Sequence, residues 1–134
     1  MLGDSPRTRT ILIAEREEPL RTRVCQVLAS EGYSVFQACT GEEAVRTAAR
    51  HERQIDLLLT NVSLPGLHGW ELAELIKLDY PQVKVLYMLR HPDVNLLTLS
   101  FQSKGVLLAQ PLRGDTFLGT VRIVLGDVPV LAAI

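Results

Sequence analysis

The chain has little that could hold a fold together from outside its own core. Among 134 residues there are two cysteines, Cys25 and Cys39. Their spacing is not Cys-x-x-Cys and no histidines cluster near them, so neither a disulfide framework nor a thiolate metal site is implied. Both are expected to be core thiols in a reducing cytosol. An excess of one charge is missing too. With 14 basic and 15 acidic residues and a formal net charge of -1, there is no electrostatic reason to expect nucleic acid or an anionic membrane as partner. No apolar run approaches membrane-spanning length, and the opening MLGDSPRTRT lacks the apolar region of a secretory signal. A soluble, cytoplasmic protein is expected. Nor is there a glycine-rich phosphate loop, a Gly-x-Ser-x-Gly turn or a His-Glu-x-x-His helix, so the sequence lends no support to an enzyme.

What is present is an alternation of two periodicities. After a polar leader, residues 1–9, Thr10 to Ala14 is a short apolar strand. Glu17-Glu18-Pro19 then starts a helix, because acidic groups suit its positive end and proline is tolerated in the first turn. Leu20, Val24, Val27 and Leu28 recur at helical spacing, and Gly32 supplies a stop. The unit repeats: strand 34–38, helix 41–52, strand 55–60, helix 70–80, strand 84–89, helix 92–103, strand 106–109, and helix 115–125 with Asp115 as its N-cap. Five strands alternating with five helices predict one α/β domain over 10–125, with a parallel sheet covered on both faces. Residues 126–134, GDVPVLAAI, are apolar and carry a proline. They read as a tail or the start of a linker.

The third strand holds the most informative position. Asp56-Leu57-Leu58-Leu59-Thr60 is followed by Asn61 and then by Pro65-Gly66-Leu67-His68-Gly69. Open α/β sheets place their ligand sites just beyond such carboxyl ends. The side chain of Asn61 is therefore placed for function, and its identity decides which function.

Taken in order, ILIAEREEPLR, EGYSVFQACTGEEAV, IDLLLTNVSLPGLHGWEL, VKVLYML and the Gln110-Pro111 pair make the chain resemble the receiver domain of bacterial two-component response regulators, from about Thr10 to Leu125. The resemblance implies a flavodoxin-like five-stranded sheet in the order 2-1-3-4-5 with helices on both faces. It also implies phosphorelay chemistry: an aspartate ending the third strand accepts a phosphoryl group from a histidine kinase. Two acidic residues after the first strand hold Mg²⁺, a Ser or Thr after the fourth strand binds the phosphoryl group, and a lysine before a proline contacts it. That chemistry needs a nucleophilic carboxylate, hard anionic oxygens for the ion and fixed donors for the transferred charge.

This sequence departs from the pattern at each place. The acceptor position is Asn61, whose amide oxygen cannot form an acyl phosphate. The acidic pair aligns with Glu15-Arg16, where a guanidinium replaces one carboxylate and repels a cation. The hydroxyl position is Leu89 and the lysine position is Gln110. Loss of phosphorylation and of Mg²⁺ binding is expected, with no other cofactor implied. Arg16 is either a built-in cation pairing with Glu15 and Asn61, or a loop side chain turned to solvent.

The remaining candidates have bland readings. Pro65 to Gly69 is a structural turn, and His51, His68 and His91 are scattered surface residues. Trp70 and Tyr80 pack the ends of one helix, and Cys39 is a small buried hydrophobe. Leu96, Leu97, Leu99 and Phe101 crowd helix 92–103 beyond a single core-facing stripe. With Leu107, at the switch-aromatic position of the last strand, they form the candidate interface. The resemblance implies that the last two helices and last strand bind signalling proteins or a second receiver, a homodimer being one form. The expectation is a pseudo-receiver acting as a phosphorylation-independent protein-interaction module. The alternatives are a small-ligand or anion sensor using Glu15, Arg16, Asn61 and Gln110, and residual phosphotransfer onto Ser63.

Overall fold

The computed structural model describes residues 8–51, 54–89, 106–109 and 113–127. Its elements are β1 (Thr10–Ala14), α1 (Glu18–Ser30), β2 (Ser34–Ala38), α2 (Gly41–Arg50), β3 (Leu57–Asn61), α3 (Gly69–Asp79), β4 (Lys84–Leu89), β5 (Val106–Ala109) and α4 (Gly114–Leu125). The five strands form one sheet in the order β2-β1-β3-β4-β5, with every pairing parallel. This is the 2-1-3-4-5 order that the resemblance implies. The helix expected over 92–103 lies outside the described residues.

Successive side chains of a strand point to opposite faces, and here both faces are dry. On one side Leu12, Leu58 and Tyr87 pack with Ala44 and Ala48 of α2 and with Leu72 and Ile76 of α3. On the other, Ile11, Ile13, Leu59 and Met88 pack with Val24 and Leu28 of α1 and with Phe117 and Val121 of α4. That explains why β1, β3 and β4 read as unbroken apolar runs instead of alternating ones. β2, at the sheet edge, leaves Phe36 and Gln37 exposed.

Several boundaries shift, each for a physical reason. β3 starts at Leu57, because Asp56 is a buried carboxylate whose Oδ2 accepts the Thr10 backbone N–H at 2.8 Å. It ends on Asn61, which pairs with Met88 of β4. The N-cap of α4 is Arg113, and Asp115 lies inside the first turn with Oδ1 accepting from Thr116 N. Arg9 belongs to the folded unit and not to the leader. Its carbonyl accepts from Ser34 N, and its guanidinium pairs with Asp127 Oδ1 at 2.8 Å and with Asp56 Oδ1 at 3.7 Å. Asp127, read as tail, is thereby tied to the start of β1.

Candidate functional site

The carboxyl ends of β1 and β3 bring Glu15 and Asn61 side by side. Both are buried, at 1% and 7% exposure. Asn61 Nδ2 donates to Glu15 Oε1 at 2.8 Å, and Asn61 Oδ1 accepts from the Ser63 backbone N–H at 3.0 Å. Only an oxygen can accept from Ser63, so the amide has one orientation and its NH2 faces the carboxylate. The second carboxylate oxygen, Glu15 Oε2, accepts from Glu17 N at 2.8 Å. Glu17 is the N-cap of α1, so the Glu15 charge also sits at the positive end of that helix.

The surrounding backbone holds this pair still. Glu15 N donates to Ala38 O at 3.0 Å, fastening the β1–α1 loop to β2. Arg21, one turn into α1, donates from its guanidinium to Glu15 O at 2.9 Å and from Nε to Gln37 Oε1 at 3.0 Å. On the other side, Gly69 N donates to Val62 O at 2.8 Å, and a bridge between Ser63 and His68 closes the loop. Gly69 is required there. A Cβ on it would lie 2.5 Å from the Asn61 carbonyl oxygen, so the helix could not start so close to the strand end. The α3 start is reinforced by His68 N donating to Glu71 Oε1 at 2.9 Å.

Arg16 is exposed and, among the described residues, donates to neither Glu15 nor Asn61. The built-in-cation alternative therefore gives way to the solvent-facing one. Leu89 is buried at the end of β4 in the apolar layer with Leu12 and Tyr87. Gln110, Leu96, Leu97, Leu99, Phe101 and His91 lie outside the described residues. Leu107 is half-buried and packs against the same layer. No three His, Cys, Asp or Glu side chains converge on a metal position among the described residues.

The other singled-out residues have structural partners. His68 and Trp70 stack, with ring centroids 4.3 Å apart. Tyr80 directs its hydroxyl at the carbonyls of Ala48 and His51, both at 2.8 Å, tying α3 to the end of α2. Cys39 is half-buried and not a plain core thiol. Its Sγ–H donates to Glu43 Oε2 at 3.1 Å, and that bond first, then burial, pushes its pKa up. Arg21, and the Ser63 and Glu17 backbone N–H groups, were not singled out from the sequence. The only signals were an arginine one turn after the acidic pair and an Asn-x-Ser step, which mark many ordinary loops.

The model of the response regulator receiver domain matches residues 11–106, most of the chain, with Glu15 and Asn61 inside the match. The chain belongs to this family. As a receiver domain of two-component signalling, it is 24% identical over 116 residues to the transcriptional regulatory protein AfsQ1 of Streptomyces coelicolor, covering 87% of this chain and 51% of that protein. It is 29% identical over 87 residues to sporulation initiation phosphotransferase F of Bacillus subtilis, covering 65% and 68%. The receiver thus spans about half the length of AfsQ1 and two thirds of the phosphotransferase. Among solved structures, the signal receiver domain of an HD domain-containing protein from Pseudomonas fluorescens superposes with a TM-score of 0.79 at 24% identity, covering 90% of this chain and 97% of that one. Chemotaxis protein CheY4 of Vibrio cholerae gives 0.78 at 21%, covering 88% and 99%. Receivers interact with signalling proteins such as kinases and other regulators. Among the described residues no helix is long and apolar enough to cross a membrane.

Proposed function

We propose that this receiver is a protein-interaction module whose conformation is set by association with signalling partners and not by phosphorylation. The observation that carries the reading is the Asn61 side chain held between Glu15 and Ser63. An amide oxygen is a poor nucleophile and gives no acyl phosphate, and this one already accepts a hydrogen bond. Mg²⁺, which the family pattern implies, does not fit the residues present. The ion wants several hard anionic oxygens. Here one carboxylate is present with both oxygens engaged, and the adjacent acidic position is Arg16. Leu89, a core side chain, has no donor for a phosphoryl oxygen.

A receiver is a two-state domain that a phosphoryl group biases. Where no such group forms, only a partner with different affinities for the two states can move the equilibrium. The partners this reading points to are signalling proteins or a second receiver. The pocket-sensor alternative is less well supported, because Glu15 and Asn61 spend their polar atoms on each other and on backbone.

The test is intact mass and melting temperature after incubation with acetyl phosphate and Mg²⁺, and again with beryllofluoride and Mg²⁺. Unchanged mass and melting temperature are expected. A phosphate adduct, or a shift that requires Mg²⁺, would overturn the proposal, and acid-stable phosphate would direct attention to Ser63.

A further inference from the structure

β2 is a terminal strand of the sheet, and the elements packed on it, β1, α1 and α2, all lie among the described residues. In a parallel ladder each residue turns its N–H and C=O to the same side. Ser34 N donates to Arg9 O, and Ala38 O accepts from Glu15 N, so Ser34, Phe36 and Ala38 face β1. Val35 and Gln37 point their backbone groups away from the sheet. Edge strands are ordinarily blunted by lysine, proline, a bulge or an inward charge. The β2 sequence Ser-Val-Phe-Gln-Ala has neither charge nor proline, and its pairing with β1 runs without a bulge. At its centre Phe36 is an exposed large hydrophobic.

The same strand from a second copy, run antiparallel about a two-fold axis through Phe36, matches this edge. Val35 then lies opposite Gln37 of the second copy, and Gln37 opposite its Val35, each pair exchanging both N–H···O bonds. The two Phe36 residues meet as a non-hydrogen-bonded pair with Cα atoms about 4.5 Å apart, where aromatic side chains stabilise one another. The flanking helices agree with this register. α2 packs over both β1 and β2, so the axes of the two α2 helices would lie about two strand spacings, or about 10 Å, apart, the separation of packed helices. With ten residues, α2 spans about 15 Å, nearly the length of β2. The two-fold therefore sets the acidic first turn of one α2, Glu42 and Glu43, beside the basic last turn of the other, Arg50, with the helix dipoles antiparallel. A formal net charge of -1 adds little repulsion between copies.

We infer that β2 is a self-association edge at which two copies join antiparallel into one continuous sheet, an isologous dimer centred on Phe36. The inference does not rest on the chemistry at Asn61, and a monomer would leave the reading of that site untouched. Sedimentation of the full chain should show a dimer at high micromolar concentration. Phe36→Lys places a charge on the edge, and Gln37→Pro removes an outward N–H without touching the β1 ladder. Each should weaken the dimer by about tenfold or more, with circular dichroism checking that the chain is folded. Cross-linking reads the register. Phe36→Cys brings two thiols within disulfide reach, whereas in Ser34→Cys the two Cα atoms lie about 14 Å apart, beyond it. Mild oxidation should cross-link the first variant and not the second, with the parent, which carries the same Cys25 and Cys39, as background. A monomeric parent would overturn the proposal and leave the edge to an extended peptide of another protein. So would a dimer that persists in either folded edge variant, or equal cross-linking of the two cysteine variants.

Discussion

A single amide decides how this site behaves, because Asn61 satisfies a buried carboxylate without bringing charge. Asn61→Asp would replace the Nδ2 donor, 2.8 Å from Glu15 Oε1, with a second anionic oxygen in a buried place. Two carboxylates at that distance cannot both ionise cheaply. The variant should be about 1–3 kcal/mol less stable at neutral pH and should regain stability as the pH falls and one carboxyl takes up a proton. Denaturant titrations of both proteins across that range would check it. Equal stability at every pH would mean that the Glu15–Asn61 bond contributes nothing. Arg16 illustrates what the sequence leaves open at this scale. Its charge is legible but its direction is not, because the groups that meet Glu15, the Asn61 side-chain amide and the Glu17 backbone N–H, come together only in the fold.

At the scale of elements, the capping of α2 is the clearest case of sequence chemistry becoming structure. Thr40 Oγ1 accepts from Glu43 N at 3.0 Å, with Glu42 and Glu43 placed at the positive end of the helix. Thr40→Ala should cost about 1 kcal/mol, seen as a lower denaturation midpoint with unchanged slope. Elements buried on both faces were legible almost to the residue: the apolar runs of β1 and β4 match the observed strands. Ends were less so where a polar residue has two structural uses. Asp115 suits an N-cap and a first turn equally, and the backbone chose the second. Asp56 follows Ile55 and precedes three leucines, so it reads as strand. It is instead a buried acceptor for Thr10 N, a role that exists only once β1 lies beside β3.

At the scale of the whole molecule, the large alkaline shift among the described residues falls on a core tyrosine. Tyr87, fully buried between the sheet and α3, has its hydroxyl pushed up to about 12 from the ordinary 10.0, first by burial and then by the Glu74 charge. Between those values the unfolded chain gives up a proton that the folded one keeps. The contribution is therefore complete below about pH 10 and is lost as the pH rises through about 12. Phenolate absorbance should show one tyrosine ionising late, together with loss of structure, and Tyr87→Phe should remove that late step. Unfolding that proceeds identically in the variant would assign the alkaline limit to other groups.

The pairing of Glu15 with Asn61 also constrains the order in which substitutions can accumulate. Asp at 61 alone meets the Glu15 carboxylate; a shorter Asp at 15 alone withdraws the acceptor from a buried amide. Each single step toward two acidic residues passes through a less stable protein, and Arg16 sets a third change beside them. The site is a ratchet: once Asn61 and Glu15 were matched, selection for stability alone would keep both in place.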